Sequence, residues 1–289
     1  MKVAGFTFIR NAQKFDYPIV EAITSILPIC DEFVVAIGNS DDSTVLLIQN
    51  INSPKIKIIH TKWDESLREG GAVLALETNK AKEAISKDVD WCFYVQGDEA
   101  VHEKYLPAIT DAMKQHLANE KVEGLLFKYE HFFGAYNYCG NAPNWYRREI
   151  RIVRNNPTIL SYKDAQGFRI LGRKLNVKLI DAYIYHYGWV KNPMHQMQKA
   201  KDFSKYWHDD SWIKQNIPDV ESCDYSGVDS LKLFTGTHPK VMLPRIAQQS
   251  WEFVYDVSKN KLSTKKKLRM WIEKYLGWKI GEYRNYKIL

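Results

Sequence analysis

The stretch Trp91-Cys92-Phe93-Tyr94-Val95-Gln96-Gly97-Asp98-Glu99 decides the fold class. Its first five residues are apolar or aromatic, which predicts a buried strand. Two acids follow where that strand ends, and burying carboxylates there is costly without a cation or hydrogen-bond donors. A divalent cation is one solution. A loop that caps the next helix, with Glu99 near its positive end, is the other.

Outward from this stretch, strands and helices alternate along the first part of the chain. The predicted strands are Val3–Ile9, Glu32–Ile37, Ile56–His60 and Trp91–Val95, and the predicted helices are Asp16–Leu27, Thr44–Gln49, Gly71–Ile85 and Tyr105–Leu117. Short connections between alternating elements predict an α/β fold with a mostly parallel, Rossmann-like sheet flanked by helices. Ligands bind beyond the carboxyl ends of such strands, so residues 38–43 and 96–99 are the first places to seek a site.

The pattern changes after residue 120. Further strands are predicted at Gly124–His131, Glu149–Arg154 and Leu175–His186, and helices at Pro193–Trp207 and 244–257; residues 209–240 have no clear pattern. We therefore expect a nucleotide-binding and catalytic domain over 1–205 and a helical C-terminal extension over 206–289.

Composition and charge narrow the function classes. Of 289 residues, 45% are hydrophobic and 26% charged, which indicates a globular chain. The start lacks a signal-peptide pattern, and the four scattered cysteines suit a reducing, cytoplasmic setting. Residues 259–289 hold ten Lys or Arg and two Glu, so the net charge of +7 lies in the tail. The nearly neutral remainder argues against a nucleic-acid partner.

Residues 264–278 in that tail have the pattern of an amphipathic helix. Apolar and aromatic residues recur at helical spacing among lysines. Such a helix can lie on an anionic membrane, which would make the protein peripheral on the inner face of the membrane. It can equally dock on its own domain or on a second copy in a homodimer, and the sequence leaves both interpretations open.

Two smaller motifs carry the same kind of ambiguity. His186 ends a predicted strand and precedes a Tyr-Gly pair, so it can complete a metal shell, although a lone His is more often a hydrogen-bonded core residue. Asp41 lies in Asp41-Asp42-Ser43-Thr44, whose acids can accept from ribose hydroxyls or cap the next helix.

Taken together, these motifs resemble the family 2 glycosyltransferases. The resemblance covers about residues 3–205 and rests on the following segments: Arg10-Asn11, Gly38-Asn39-Ser40-Asp41-Asp42-Ser43-Thr44, Trp63-Asp64, Asp90-Trp91 with Gly97-Asp98-Glu99, Arg147-Arg148-Glu149-Ile150-Arg151 and Asp164-Ala165-Gln166-Gly167-Phe168-Arg169. It implies the GT-A fold, a nucleotide-sugar donor and transfer with inversion.

The resemblance also implies residue roles at the donor end. Phe8 and Arg10 would line the nucleotide pocket, Asp41 would contact the nucleoside and Asp64 the base. The residues that would bind Mn²⁺ or Mg²⁺ on the diphosphate are Asp98, His186 and Glu99. The sequence departs from the family at one position. Gln96 stands where the first acid of the metal motif is expected, and its amide can still hydrogen-bond ribose or a metal-bound water.

Candidates for the acceptor end follow the later strands. A base must remove the acceptor proton, and the candidates are Asp164, Glu149 and Glu130, of which Asp164 is preferred because it precedes a glycine turn. Groups that would stabilise the diphosphate or an anionic acceptor are Arg147 and Arg151. Tyr136 and Trp145 would stack on sugar rings, or else belong to the core.

These expectations converge on a hexosyltransferase acting on a glycan or lipid-linked acceptor, as in polysaccharide biosynthesis. A nucleotidyltransferase is disfavoured because the loop Arg10-Asn11-Ala12-Gln13 lacks glycine. A non-catalytic nucleotide-sugar or carbohydrate-binding protein of the same fold remains the alternative, and Gln96 is the residue that favours it.

Overall fold

The chain is built on one large β-sheet, seen in a computed structural model that describes residues 1–217 and 220–289. Its first elements are β1 (Val3–Ile9), α1 (Ile19–Ile26), β2 (Glu32–Ile37), α2 (Thr44–Gln49), β3 (Ile56–His60), α3 (Ala72–Glu83) and β4 (Trp91–Tyr94). These strands pair in parallel in the order β3-β2-β1-β4. The α/β class and the parallel first half predicted from the sequence are confirmed.

Beyond β4 the sheet becomes mixed. The next elements are β5 (Glu99–Val101), α4 (Leu106–His116), β6 (Gly124–Phe133), β7 (Ala135–Gly140), β8 (Arg148–Arg154), β9 (Ile159–Tyr162), β10 (Gly167–Ile170) and β11 (Arg173–Trp189). The sheet continues as β4-β8-β6-β11-β10-β9, with β8 antiparallel to both neighbours. The prediction of a mostly parallel sheet is wrong for this half, because turns of one or two residues, as between β6 and β7, can join only antiparallel strands.

The remaining residues return to the same sheet. They form α5 (Pro193–Phe203), α6 (Asp210–Asn216), β12 (Leu231–Leu233), α7 (Leu243–Ala247), α8 (Thr264–Leu276) and β13 (Tyr286–Ile288). Strand β12 pairs with β7, and β13 pairs with β11. The division of the chain at residue 205 stays a prediction.

One predicted helix, over 244–257, is mostly wrong. Helix α7 ends at Ala247, and the residues from 248 to 256 form no helix. Trp251 donates its ring N–H to the carbonyl of Gly134 at 2.7 Å, and Phe253 packs edge-on against Tyr138. Every second residue therefore turns an aromatic ring to the sheet, which is the spacing of an extended chain and not of a helix.

Strand β4 lies in the middle of the sheet and is buried on both faces. Trp91 and Phe93 join the core cluster that contains α1 and α4, while Cys92 and Tyr94 join the cluster on the side of α3. A strand covered by helices on both faces reads as a continuous apolar run, as this one does. No helix within residues 1–217 and 220–289 has the length and apolar character to cross a bilayer.

Candidate active site

A cavity of about 560 Å³ opens at the carboxyl ends of β1 and β4. Its walls come from the residues after these strands, from the end of β11 and from α5 with the turn that follows it. The size is that of a small-molecule site, and the position is the one expected for ligands in a sheet of this kind. Of the site residues predicted from the sequence, the cavity is lined by Phe8, Arg10, Gln96, Asp98, Glu149, Arg151, Asp164 and His186.

Asp98 presents its carboxylate to this cavity. Its Oδ2 accepts a hydrogen bond from the ammonium of Lys199 at 3.1 Å, and its Oδ1 lies 3.8 Å from Nε2 of His186. Burial alone would raise the pKa of Asp98, but the positive charges of Lys199 and Lys191 outweigh it and lower the pKa below its usual range. Asp98 is therefore ionised.

The hydrogen bonds of His131 fix the tautomer of His186, and burial lowers the pKa of His186, which keeps its ring neutral. Nε2 of His131 donates to the carbonyl of Tyr146 at 2.6 Å, since a carbonyl can only accept. Burial lowers the pKa of His131 to about 3, so this ring is neutral and its Nδ1 accepts. The donor in the 3.2 Å contact between the two Nδ1 atoms is then His186. Neutral His186 consequently carries a bare lone pair on Nε2, on the side of Asp98.

Gly188 keeps the space between these two groups open. A Cβ at this position would lie 2.7 Å from Oδ2 of Asp98 and 2.8 Å from Nε2 of His186. Two lone-pair donors thus converge on a space that any other residue at position 188 would fill. This donor set fits Mn²⁺ or Mg²⁺, which take few protein ligands when phosphate and water oxygens complete the shell. In the described part of the chain, however, no group of three or more His, Cys, Asp or Glu is placed to hold a metal.

Glu99 has different partners, although it follows Asp98 directly. The guanidinium of Arg151 donates to both of its carboxylate oxygens, at 2.9 and 2.8 Å. Tyr129 donates its hydroxyl at 2.6 Å and Gln96 its main-chain N–H at 3.0 Å. Both oxygens are thus already engaged, and Glu99 does not line the cavity. Its geometry suits a buried anchor for the turn that carries Asp98 better than a metal ligand.

Arg151 is the other half of this anchor. It is 1% exposed and lies between the rings of Tyr94 and Tyr129, with its guanidinium carbon 5.3 Å from each ring centroid. Stacking and the bidentate ion pair together satisfy a charge that would otherwise be very costly to bury. Arg151 therefore fixes the floor of the cavity, and its charge is already neutralised.

Two further carboxyls line the cavity, and each has one oxygen without a hydrogen-bond partner among the described residues. These are Oε2 of Glu149 and Oδ1 of Asp164. Burial raises the pKa of Glu149 to about 8, and the negative charges of Glu99 and Asp164 add to the effect against Arg151. Burial also raises the pKa of Asp164. Groups of this kind can hold or accept a proton near neutral pH.

Gly71 allows the side chain of Asp164 to lie close to the backbone just before α3. Gly71, just before α3, has φ = 68°, and a Cβ there would lie 2.7 Å from the Cβ of Asp164 and 2.8 Å from the ring of Trp207. The left-handed backbone and the close approach both require glycine at this position.

The remaining donor-end candidates have partners within the chain. Arg10 forms an ion pair with Glu65 at 3.0 Å and lies over the ring of Trp63. Nε2 of Gln96 donates to the carbonyl of Ala165 at 3.3 Å. Asp41 and Asp64 lie outside the cavity lining, where Asp41 pairs with Lys14 at 2.8 Å and Asp64 accepts from Ser66.

The remaining acceptor-end candidates also lie outside the cavity lining. Glu130 pairs with Lys232 at 2.6 Å, and Arg147 pairs with Glu273 of α8. Tyr136 is buried against Tyr187, and Trp145 stacks on His131 with ring centroids 5.2 Å apart. Trp145 thus supports the histidine pair instead of facing the cavity.

The chain has a fold similar to that of solved structures, although no family model matches the sequence and no curated protein matches it. TarS residues 1–349 from S. aureus, in complex with UDP, gives a TM-score of 0.42 at 15% identity over 70% of this chain and 64% of that one. Glucosyl-3-phosphoglycerate synthase from Mycobacterium tuberculosis, in complex with Mn²⁺, UDP and phosphoglyceric acid, gives 0.31 at 18% identity over 45% of this chain and 43% of that one. Over much of its length the chain resembles these GT-A glycosyltransferases in structure. The match spans less than two thirds of either relative, and at such scores it says nothing about this chain's substrate.

Helix α5 supplies site residues that the sequence motifs missed. Gln196, Lys199, Ala200 and Phe203 all line the cavity, and their spacing is that of one helix face. The only signal in the sequence is that a polar Gln and Lys share one helix face with Ala200 and Phe203. Lys191 was missed as well. It is fully buried beneath the site, where its ammonium donates to the carbonyl of Asp16 at 2.6 Å.

Proposed function

We propose that this protein is a glycosyltransferase that moves a sugar from a nucleoside-diphosphate sugar to an acceptor hydroxyl with inversion. One observation carries the proposal. An ionised Asp98 beside a bare His186 nitrogen shares a 560 Å³ cavity with two carboxyls of raised pKa. The first pair suits an anionic leaving group, and the second suits proton transfer from a hydroxyl.

At the donor end, Asp98 and His186 would hold Mn²⁺ or Mg²⁺, which neutralises charge on a departing diphosphate. Lys199, 3.1 Å from Asp98, adds a positive charge on the same side. Phe8, Arg10 and Trp63 form a neighbouring wall whose rings and guanidinium suit a nucleoside base. These residues orient the donor with its diphosphate towards Asp98.

At the acceptor end, Asp164 is the proposed base. Glu149, whose pKa of about 8 keeps it protonated at neutral pH, cannot take a proton there and instead can donate a hydrogen bond. Asp164 is less buried than Glu149, and its free Oδ1 can accept a proton from a bound hydroxyl. An attack on the face of the sugar opposite the diphosphate would invert the anomeric centre.

A thermal-shift screen of nucleoside diphosphates and nucleotide sugars, with and without Mn²⁺, tests donor binding. We expect one nucleotide to raise the melting temperature more with Mn²⁺ than without it. Asp98→Asn should remove the Mn²⁺-dependent part, and Gly188→Ala, which fills the space between the donors, should weaken it. Asp181→Asn is the matched control, because Asp181 is an exposed acid paired with Lys128 far from the cavity lining. Folded wild-type protein that responds to no nucleotide would refute the proposal.

The alternative is a protein that binds nucleotide sugars without transferring them. Gln96 favours it, since its amide is engaged by the carbonyl of Ala165 and supplies no negative charge to a metal. Such a protein would give the same thermal shift but would release no nucleoside diphosphate from a donor.

A further inference from the structure

Helix α8 carries an aromatic face that is not covered by the rest of the chain. None of its residues is buried. Leu268, Trp271 and Tyr275 are 56%, 54% and 61% exposed, and Trp278, just beyond the helix, is 67% exposed. Positions 268, 271 and 275 follow at three and four residues, so these side chains form one row along the helix.

The opposite face of α8 attaches it to the body of the protein by polar contacts. Lys266 pairs with Asp229, and Glu273, two turns later, pairs with Arg147. A surface helix ordinarily buries its apolar stripe and exposes its charges. Helix α8 instead leaves its apolar row exposed and contacts the body through charged side chains. The sequence left open whether the apolar row docks on the protein's own domain. In the structure the helix docks by its charged side, and the apolar row faces away from the domain.

Lysines flank the apolar row. Lys265, Lys267 and Lys274 are exposed, and within the described residues none of them forms an ion pair. Their ammonium groups are therefore available to an anionic partner. A membrane surface rich in anionic lipid attracts such charges.

We propose that this face, made of Leu268, Trp271, Tyr275, Trp278 and the three flanking lysines, lies in the surface of an anionic membrane. Tryptophan and tyrosine favour the boundary between headgroups and acyl chains, and lysines beside them reach the phosphates. A second copy fits less well, because two such faces in contact would bring six unpaired ammonium groups together. The helix contacts the body by its polar side, so membrane contact of the other side needs no rearrangement of the sheet.

Membrane contact would also place the cavity near lipid. Arg147, which holds Glu273 of α8, directly follows Tyr146, a residue of the cavity wall. If the proposed transferase activity holds, the acceptor class that fits is a hydroxyl on a lipid-linked sugar. This last step alone rests on the proposed function.

Vesicle flotation of the full chain tests the membrane contact without nucleotide or substrate. We expect binding to phosphatidylcholine vesicles that contain about one third phosphatidylglycerol, and little binding to pure phosphatidylcholine. Trp271→Ala/Tyr275→Ala, and separately Lys265→Glu/Lys267→Glu/Lys274→Glu, should each weaken binding about tenfold or more. Raised salt should weaken the wild type, because it screens exposed charges.

The matched control is Leu171→Ala/Val254→Ala, which removes two exposed apolar side chains elsewhere and should bind as the wild type does. Asp98→Asn should also bind normally, so a failed transferase proposal leaves this test intact. Absence of wild-type binding to anionic vesicles, or equal binding by all variants, would overturn the inference. So would a dimer that Trp271→Ala/Tyr275→Ala dissociates in the absence of vesicle binding.

Discussion

Asp98 and Glu99 are neighbours in the turn after β4 but have different roles. Asp98 faces the cavity, and Glu99 holds the turn in place through Arg151, Tyr129 and the main chain of Gln96. The acids look alike in the sequence, and their difference arises because Arg151 reaches this point only when β8 lies beside β4. A buried ion pair separated by 52 residues cannot be read from local spacing.

Glu99→Gln should therefore destabilise the protein strongly. The substitution leaves the Arg151 guanidinium buried without its counter-charge, which costs about 3–5 kcal/mol in comparable pairs. Urea unfolding measures the change. Asp88→Asn, in the exposed pair with Lys2, should change the free energy of unfolding little, because solvent screens exposed ion pairs. Equal stability of Glu99→Gln and wild type would show that the pair is not what holds this turn.

Glu149 should make stability depend on pH. Its pKa is raised by burial to about 8 from an ordinary 4.5, so the folded chain binds this proton more tightly than the unfolded chain does. The contribution of protonated Glu149 to the free energy of unfolding is therefore fully present below about pH 4.5 and is lost as pH rises through about 8. Glu149→Gln, which cannot ionise, should gain on the order of 3 kcal/mol relative to wild type between about pH 5 and about pH 8.5. The melting temperatures of the wild type and of Glu149→Gln, measured over this pH range, test the prediction. Equal changes in melting temperature with pH for the two proteins would contradict a raised pKa of Glu149.

Among whole elements, strand ends could be predicted better than helix faces. Phe8, Arg10, Asp98 and His186 line the cavity because each stands at a strand end, which the apolar runs mark in the sequence. Glu130 lies elsewhere because side chains alternate along β6, and Tyr129 and His131 occupy the face towards Asp98. The register that decides this alternation comes from pairing with β8 and β11, which local sequence does not specify.

The position of Lys199 on helix α5 leads to a prediction about nucleotide binding. The sequence motifs do not indicate which face of α5 lines the cavity, because the direction of a helix face depends on how the helix packs. Lys199→Met should weaken binding of a nucleoside diphosphate about tenfold, equal to a loss of about 1.4 kcal/mol, since an ammonium beside Asp98 is removed. Isothermal titration calorimetry measures the change. Lys205→Met, on the exposed side of the following turn, should bind like the wild type, and unaltered affinity in Lys199→Met would remove Lys199 from the site.

For the molecule as a whole, the sheet explains why one cavity collects groups from distant parts of the chain. Parallel β1 and β4 end at the same edge, and β11 returns there after crossing the mixed half of the sheet. The α/β class and this edge could be predicted from the sequence. The mixed half could not, because pairing over long sequence separations decides the direction of its strands. The same long-range packing turns α8 with its apolar row outwards.

The most direct test of the account is release of nucleoside diphosphate from the nucleotide sugar that gives the largest thermal shift, measured with an acceptor present. We predict turnover by the wild type and by Asp181→Asn, and a loss of at least about a hundredfold in Asp98→Asn, whose fold should be intact. Turnover by Asp98→Asn at the wild-type rate, or no turnover by a wild type that binds the donor, would contradict the central role of Asp98 in a transferase.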